Sequence, residues 1–254
     1  MGKPQHLHLR PSGRTPAIRR PILPADRLRG GLLAAGAAGL AAMLACRFLL
    51  PASAGMGWGL AVLGFGLVWL LTGRAMRHAY PHPRIGFCNA LTLVRAALAC
   101  ALIAPLLSGQ TAGWLVAGIA GVALTLDGAD GWAARRQGLA SDFGARFDME
   151  ADSLLALILS LHVVAGSAVG AEGLVLGLAR YVFLAAMPVW PWLTRPLPQK
   201  FRRKAICVVQ MLALILLQLP VLSPDAAILL ARLTAALIIW SFAVDILWLR
   251  ERAA

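Results

Sequence analysis

Six of the eleven acidic residues sit in one stretch, DGADGWAARRQGLASDFGARFDMEAD, residues 127–152, of a chain that is 59% hydrophobic. Asp127, Asp130, Gly131 and Ala134 are spaced i, i+3, i+4 and i+7, which places two carboxylates and two small residues on one helix face. Gly144, Asp148 and Asp152 follow at i, i+4 and i+8, again one face. The connector from about Arg136 to Phe143 contains Gly138 and Ser141 and is long enough to reverse the chain, so two antiparallel helix ends can aim four carboxylates at one volume. Carboxylates in or beside a bilayer cost several kcal/mol each unless something neutralises them. Four such groups suit a hard cation, Mg²⁺ or Mn²⁺, with enough carboxylate for two ions. Gly131 and Gly144 allow either close approach of a ligand to the backbone or tight helix packing. Asp142 and Glu150 point off both faces and read as solvated charges.

The elements that must hold these groups are membrane helices. With 254 residues, a formal net charge of +13 and 14% charged side chains, the composition fits an all-α polytopic membrane protein. Nucleic acid is not an expected partner, because the basic residues lie between apolar runs and form no basic face. Cys46, Cys88, Cys100 and Cys207 have no C-x-x-C spacing and read as inert thiols in or beside apolar runs. No small-residue cleavage site follows the first apolar run, which argues against a cleaved leader. Apolar stretches near the length of a span occur at about 31–50, 56–73, 89–107, 112–130, 147–166, 173–192, 204–221 and 226–248. Twenty of the 24 Lys and Arg residues fall in the termini and alternate loops, and the loops near 51–55, 108–111, 167–172 and 222–225 contain none. By the positive-inside rule both termini and the acidic stretch are expected to face the cytoplasm. RAMRHAYPHPRIG, residues 74–86, separates two spans with few polar side chains from six that carry the chemistry. The expected organisation is a basic cytoplasmic segment 1–30, an accessory pair of helices 31–75 and a six-helix catalytic membrane domain 85–250.

Residues 127–152 resemble the signature of the CDP-alcohol phosphotransferases, D-x-x-D-G-x-x-A-R-x8-G-x-x-x-D-x-x-x-D, with Asp127, Asp130, Gly131, Ala134, Arg135, Gly144, Asp148 and Asp152 at its fixed positions. The upstream NALTLVR is similar to the pattern that opens the family's core, giving Asn89, Thr92 and Arg95. The resemblance implies a phospholipid-synthesising transferase in which a hydroxyl attacks CDP-diacylglycerol and CMP leaves. It implies Asp127, Asp130, Asp148 and Asp152 as ligands of Mg²⁺ or Mn²⁺, with Asp152 also taking the proton of the attacking hydroxyl. Asn89, Thr92, Arg95, Asp127, Gly131, Ala134, Arg135 and Gly144 would surround the nucleotide and its diphosphate. A homodimer in the inner membrane of a bacterium, with membrane lipid around it, is the expected setting.

The acceptor is expected to be a small polar alcohol held by Arg146, Arg180, Arg203 and Lys204, since Arg offers fork-like donors to phosphate. Topology and attraction to anionic lipid explain the same loop charges equally well. Arg180, inside a span, needs a partner. The Lys204–Gln210 segment partly resembles phosphatidylglycerophosphate synthases, favouring glycerol 3-phosphate, while inositol phosphate, inositol or an amino alcohol remain alternatives. An acid-lined cation transporter is the competing class. It would place its carboxylates near mid-membrane on broken helices. The orientation is directly testable: a lone cysteine introduced near Ser141 should resist a membrane-impermeant thiol reagent in intact cells and react after lysis. Labelling from outside overturns the topology.

Overall fold

The computed structural model describes residues 25–50, 55–109, 113–137, 141–195 and 201–252, the side chains of 25–26 and 129–137 excepted. All regular elements among the described residues are helical: α1 (Ala25–Leu49), α2 (Gly55–Ala79), α3 (Gly86–Ala101), α4 (Ile103–Leu107), α5 (Trp114–Gln137), α6 (Asp142–Gly166), α7 (Val175–Ala186), α8 (Phe201–Leu216) and α9 (Pro224–Glu251), with short 3₁₀ turns at Ala171–Leu174 and Pro191–Thr194. The all-α polytopic expectation holds. Among the described residues, five helical stretches are long and apolar enough to cross a membrane, namely Arg27–Leu49, Gly55–Ala79, Gly86–Leu107, Asp142–Gly166 and Pro224–Glu251. The span expected at 112–130 appears as the shorter apolar run Trp114–Gly128 within α5. Those expected at 173–192 and 204–221 appear as α7, of 12 residues, and α8, of 16. A 3₁₀ turn takes up the residues before α7, and α8 opens on FRRK, so a polar first turn replaces apolar length.

The centre of the bundle is α3, packed against α1, α2, α5 and α6. Its Ala-rich run from Ala96 to Leu102 is buried, as suits a helix surrounded on all sides in which small residues let neighbouring backbones approach. Gly86 has φ +72, in the left-handed region, and turns the linker into α3. At the other end Pro105 cannot donate to the Ala101 carbonyl, and the helix breaks at Leu102. The Leu102 carbonyl accepts from Leu106 N at 3.4 Å and also meets buried His162 of α6, whose Nε2 lies 2.8 Å away. A carbonyl only accepts, so Nε2 carries the proton there.

Helices α1 and α2 are less separate from the core than the linker between them and α3 suggests. Each packs on α3, and α2 also covers α4. Trp69 Nε1 of α2 donates to the Leu32 carbonyl of α1 at 3.0 Å, and the Phe65 ring occupies the space beside Gly39. Further along, α6 carries α7 and α8 against it, and α9 closes over both. The α6–α7 contact is close at Gly177. A Cβ there would lie 2.8 Å from the Leu157 Cα and 2.9 Å from the Ser160 Cβ, both too near to yield. Gly177→Ala should therefore cost about 1–3 kcal/mol, as overpacking does, and lower the thermal midpoint of the detergent-solubilised protein by several degrees. Gly59→Ala, where nothing lies within 4 Å, should leave the midpoint unchanged or raise it.

Candidate active site

Asp142, at the start of α6, is preceded by Ser141 in extended backbone, φ −150 and ψ 154, with its Oγ accepting from Gly144 N at 3.1 Å. This is an N-cap bond, and Asp142 in the first turn suits the helix dipole. The cap sets the phase of α6. Gly144 then faces Asn89 of α3, because a Cβ at Gly144 would stand 3.1 Å from Asn89 Oδ1. One and two turns on, Asp148 and Asp152 meet Asp127 of α5: one oxygen from each of the three carboxylates lies within 4.8 Å of the others.

A guanidinium stands among them. Arg95 Nη1 lies 2.8 Å from Asp127 Oδ1 and 2.6 Å from Asp148 Oδ1, Nη2 pairs with Asp152 Oδ1, and Nε donates to the Ala123 carbonyl at 3.1 Å. The Arg95 side chain is 2% exposed, whereas the three carboxylates are 32, 38 and 35% exposed. The cation is thus on the protein side and the carboxylates keep an open face. Three formal negative charges against one positive leave two over among these four groups, and three convergent oxygens with that charge fit a hard divalent cation. Helices α5 and α6 run unbroken past the cluster, unlike the discontinuous helices of transporter sites.

The other expected site residues divide into groups. Asn89, Thr92 and Arg95 share α3 and are all buried. Thr92 Oγ1 donates to the Cys88 carbonyl at 3.0 Å. Asp130, Gly131, Ala134 and Arg135 belong to α5, but their side chains lie outside the described residues. Arg146 and Lys204 are exposed. Arg180 finds its partner in Glu150, the acid expected to be only a solvated charge, and its Nη1 lies 2.7 Å from Met149 Sδ. This pair joins α7 to α6 through residues that stand between Asp148 and Asp152 in sequence but off the face those two share.

Two features escaped the sequence reading. Asp245 of α9, 8% exposed, accepts from Arg202 Nη2 at 2.5 Å and lies 3.8 Å from Arg203 Nε. Arg202 also donates to the Ser241 carbonyl and hydroxyl, at 2.9 and 2.8 Å, and lies over the Trp240 ring. A carboxylate inside an apolar run was the available signal. The second feature is Tyr80 in the linker, whose hydroxyl bonds to Ile85 and Asn89. Nothing in its local sequence marks it.

No curated protein and no solved structure matches the chain. A family model, CDP-alcohol phosphatidyltransferase, matches residues 86–247, from the first residue of α3 to within α9, and so contains Asn89, Arg95, the carboxylate cluster and Asp245. With the match covering more than half of its length, the chain belongs to the CDP-alcohol phosphatidyltransferase family.

Proposed function

We propose that this chain moves the phosphatidyl group of CDP-diacylglycerol onto a small polar alcohol, with glycerol 3-phosphate as the preferred acceptor, and releases CMP on the cytoplasmic face of a bacterial inner membrane. The observation that carries this reading is the convergence of Asp127, Asp148 and Asp152 from two helices at one end of an apolar bundle, with an open face and two formal negative charges over. Asp127, Asp148 and Asp152, joined by Asp130 one turn along α5, would hold Mg²⁺ or Mn²⁺, four carboxylates providing ligands for two ions. When bound, the cations supply charge neutralisation to the diphosphate and the departing phosphate.

The chain's own side chains supply the rest. Arg95 gathers the carboxylates before any substrate arrives, so little reorganisation is left for the reaction. Asp152 uses Oδ1 toward Arg95 and has a second oxygen with which to take the proton of the attacking hydroxyl. As that hydroxyl oxygen bonds to the phosphatidyl phosphorus, the bond to the CMP oxygen breaks and CMP leaves with the electron pair. Asn89 and Gly144 lie on the nucleotide side, with Thr92, Gly131, Ala134 and Arg135 assigned there by the family pattern. Arg146 of α6, Arg180 of α7 and Arg203 and Lys204 of α8 would present cations to a phosphorylated acceptor. The working unit is a homodimer, with residues 1–30 and 31–75 as a basic segment and an accessory helix pair ahead of the catalytic domain 85–250.

Purified protein given CDP-diacylglycerol, Mg²⁺ or Mn²⁺ and a panel of alcohols should release CMP, most rapidly with glycerol 3-phosphate. EDTA should abolish turnover and either metal should restore it; the absence of CMP release with every alcohol overturns the reading. Asp127→Asn and Asp148→Asn weaken ligands, so part of their lost turnover should return at high metal. Asp152→Asn removes a proton acceptor as well, and should stay about 10²–10⁴-fold slow at saturating metal. Recovery of near-normal turnover on metal addition alone would reduce Asp152 to a ligand.

A further inference from the structure

Tyr80 lies in the linker between α2 and α3, ahead of residue 86 where the family match begins. Its hydroxyl donates to the Ile85 carbonyl at 2.9 Å and accepts from Asn89 Nδ2 at 3.1 Å, while the same Nδ2 donates to the Ile85 carbonyl at 2.7 Å. A carbonyl oxygen only accepts, so the Asn89 atom facing it must be the amide nitrogen. These bonds fix which way the amide points. Both amide hydrogens are directed at Tyr80 and Ile85, and the group Asn89 retains is its acceptor, Oδ1. That oxygen is on the side of Gly144, where the missing side chain leaves α6 bare one turn before Asp148.

The tyrosine ring is itself held. It makes edge contacts with Phe143 of α6, centroids 5.6 Å apart, and with His82, 5.3 Å apart, and Phe143 stacks on Phe147 at 6.0 Å. The hydroxyl is therefore placed by α6, the helix that carries Asp148 and Asp152.

We infer that Tyr80 is a positioning residue for the nucleotide half of the donor: it locks the Asn89 amide with only its acceptor oxygen toward Gly144, to receive a hydrogen bond from the amino group of cytosine or from a ribose hydroxyl. This rests on the transferase reading and deepens it. An acceptor locked in place suits cytosine, whose amino group donates, and leaves uracil, which has a carbonyl oxygen at that position, facing another acceptor. An amide free to turn could offer its NH₂ to uracil instead.

The test uses the full-length purified protein, measuring CMP release against CDP-diacylglycerol concentration, and inhibition by CMP, UMP and 2′-deoxy-CMP. Tyr80→Phe keeps the ring contacts and removes the hydroxyl. It should raise KM for CDP-diacylglycerol about threefold to tenfold, the worth of a neutral hydrogen bond, with kcat within about twofold. If the amino group is the donor, the wild-type advantage of CMP over UMP should shrink in Tyr80→Phe; if a ribose hydroxyl is, the advantage over 2′-deoxy-CMP should shrink. Phe143→Leu, which loosens the ring without removing the hydroxyl, should lower the thermal midpoint and leave most of the discrimination in place. Should Tyr80→Phe not accumulate, Tyr80→Leu, which also lacks a hydrogen-bonding group, carries the same measurements. Unchanged KM and unchanged inhibitor ratios overturn the inference, even if the midpoint falls. A wild-type protein that releases no CMP removes the transferase reading itself, whereas an active wild type beside an unaltered Tyr80→Phe removes only the role of Tyr80.

Discussion

A guanidinium enclosed in an apolar bundle has to be matched by negative charge, and the arrangement of α3, α5 and α6 follows from how Arg95 is matched. Its side chain is 2% exposed and reaches Asp127, Asp148 and Asp152 together. Removing Arg95 would leave three carboxylates uncompensated; deleting one member of a fully buried pair typically costs about 3–5 kcal/mol, and here the carboxylates' partial exposure to water reduces that. The contrast is the Arg232–Glu172 pair, 3.2 Å apart with side chains 66 and 36% exposed, where screening by water leaves little to the contact. The buried set therefore governs the register of three helices. It also leaves the carboxylates gathered and partly open before any cation or diphosphate is present.

Two further contacts keep α3 and α6 in that register, one on each side of the charges. Near the start of both helices, Gly144 makes room for Asn89 under the Ser141 cap. Near their far ends, His162 meets the Leu102 carbonyl where Pro105 has interrupted α3. The first is a close fit and the second a polar bond inside an apolar surrounding, where an unmet carbonyl costs more than the bond returns in water. His162 thus ties α6 to α3 at the residue where α3 ends.

The carboxylate motif was legible in the sequence because helical spacing and an apolar context are local properties, readable over a few turns. Arg95 was legible only as a member of a motif. The Ala123 carbonyl, Asp148 and Asp152 are 28, 53 and 57 residues away, and no periodicity within α3 says which groups will face it. Asp245 shows the same division: a carboxylate within an apolar run is visible, but its partner Arg202 is 43 residues distant. Glu150 looked like a surface charge because its spacing puts it off the Asp148–Asp152 face, and that is the direction in which Arg180 stands. Helix bounds failed differently. Hydropathy marks where apolar residues stop, whereas α5 continues past its apolar run to Gln137 and α6 begins at Asp142, ahead of the apolar run expected from 147.

The two sides of the site are built to different standards of rigidity. Asn89, Thr92 and Arg95 are buried on one central helix, and a change in any of them disturbs packing or leaves a polar group unmet. The cations assigned to the acceptor come from α6, α7 and α8, and among them Arg146 and Lys204 are exposed, so substitution there costs the fold little. Chemistry that depends on collecting like charges has to sit in the interior, because only there do the pairings hold against water. Choice of alcohol can be made by side chains that the interior does not need. A motif read from the sequence accordingly identifies the transfer of a phosphatidyl group more readily than the hydroxyl that receives it.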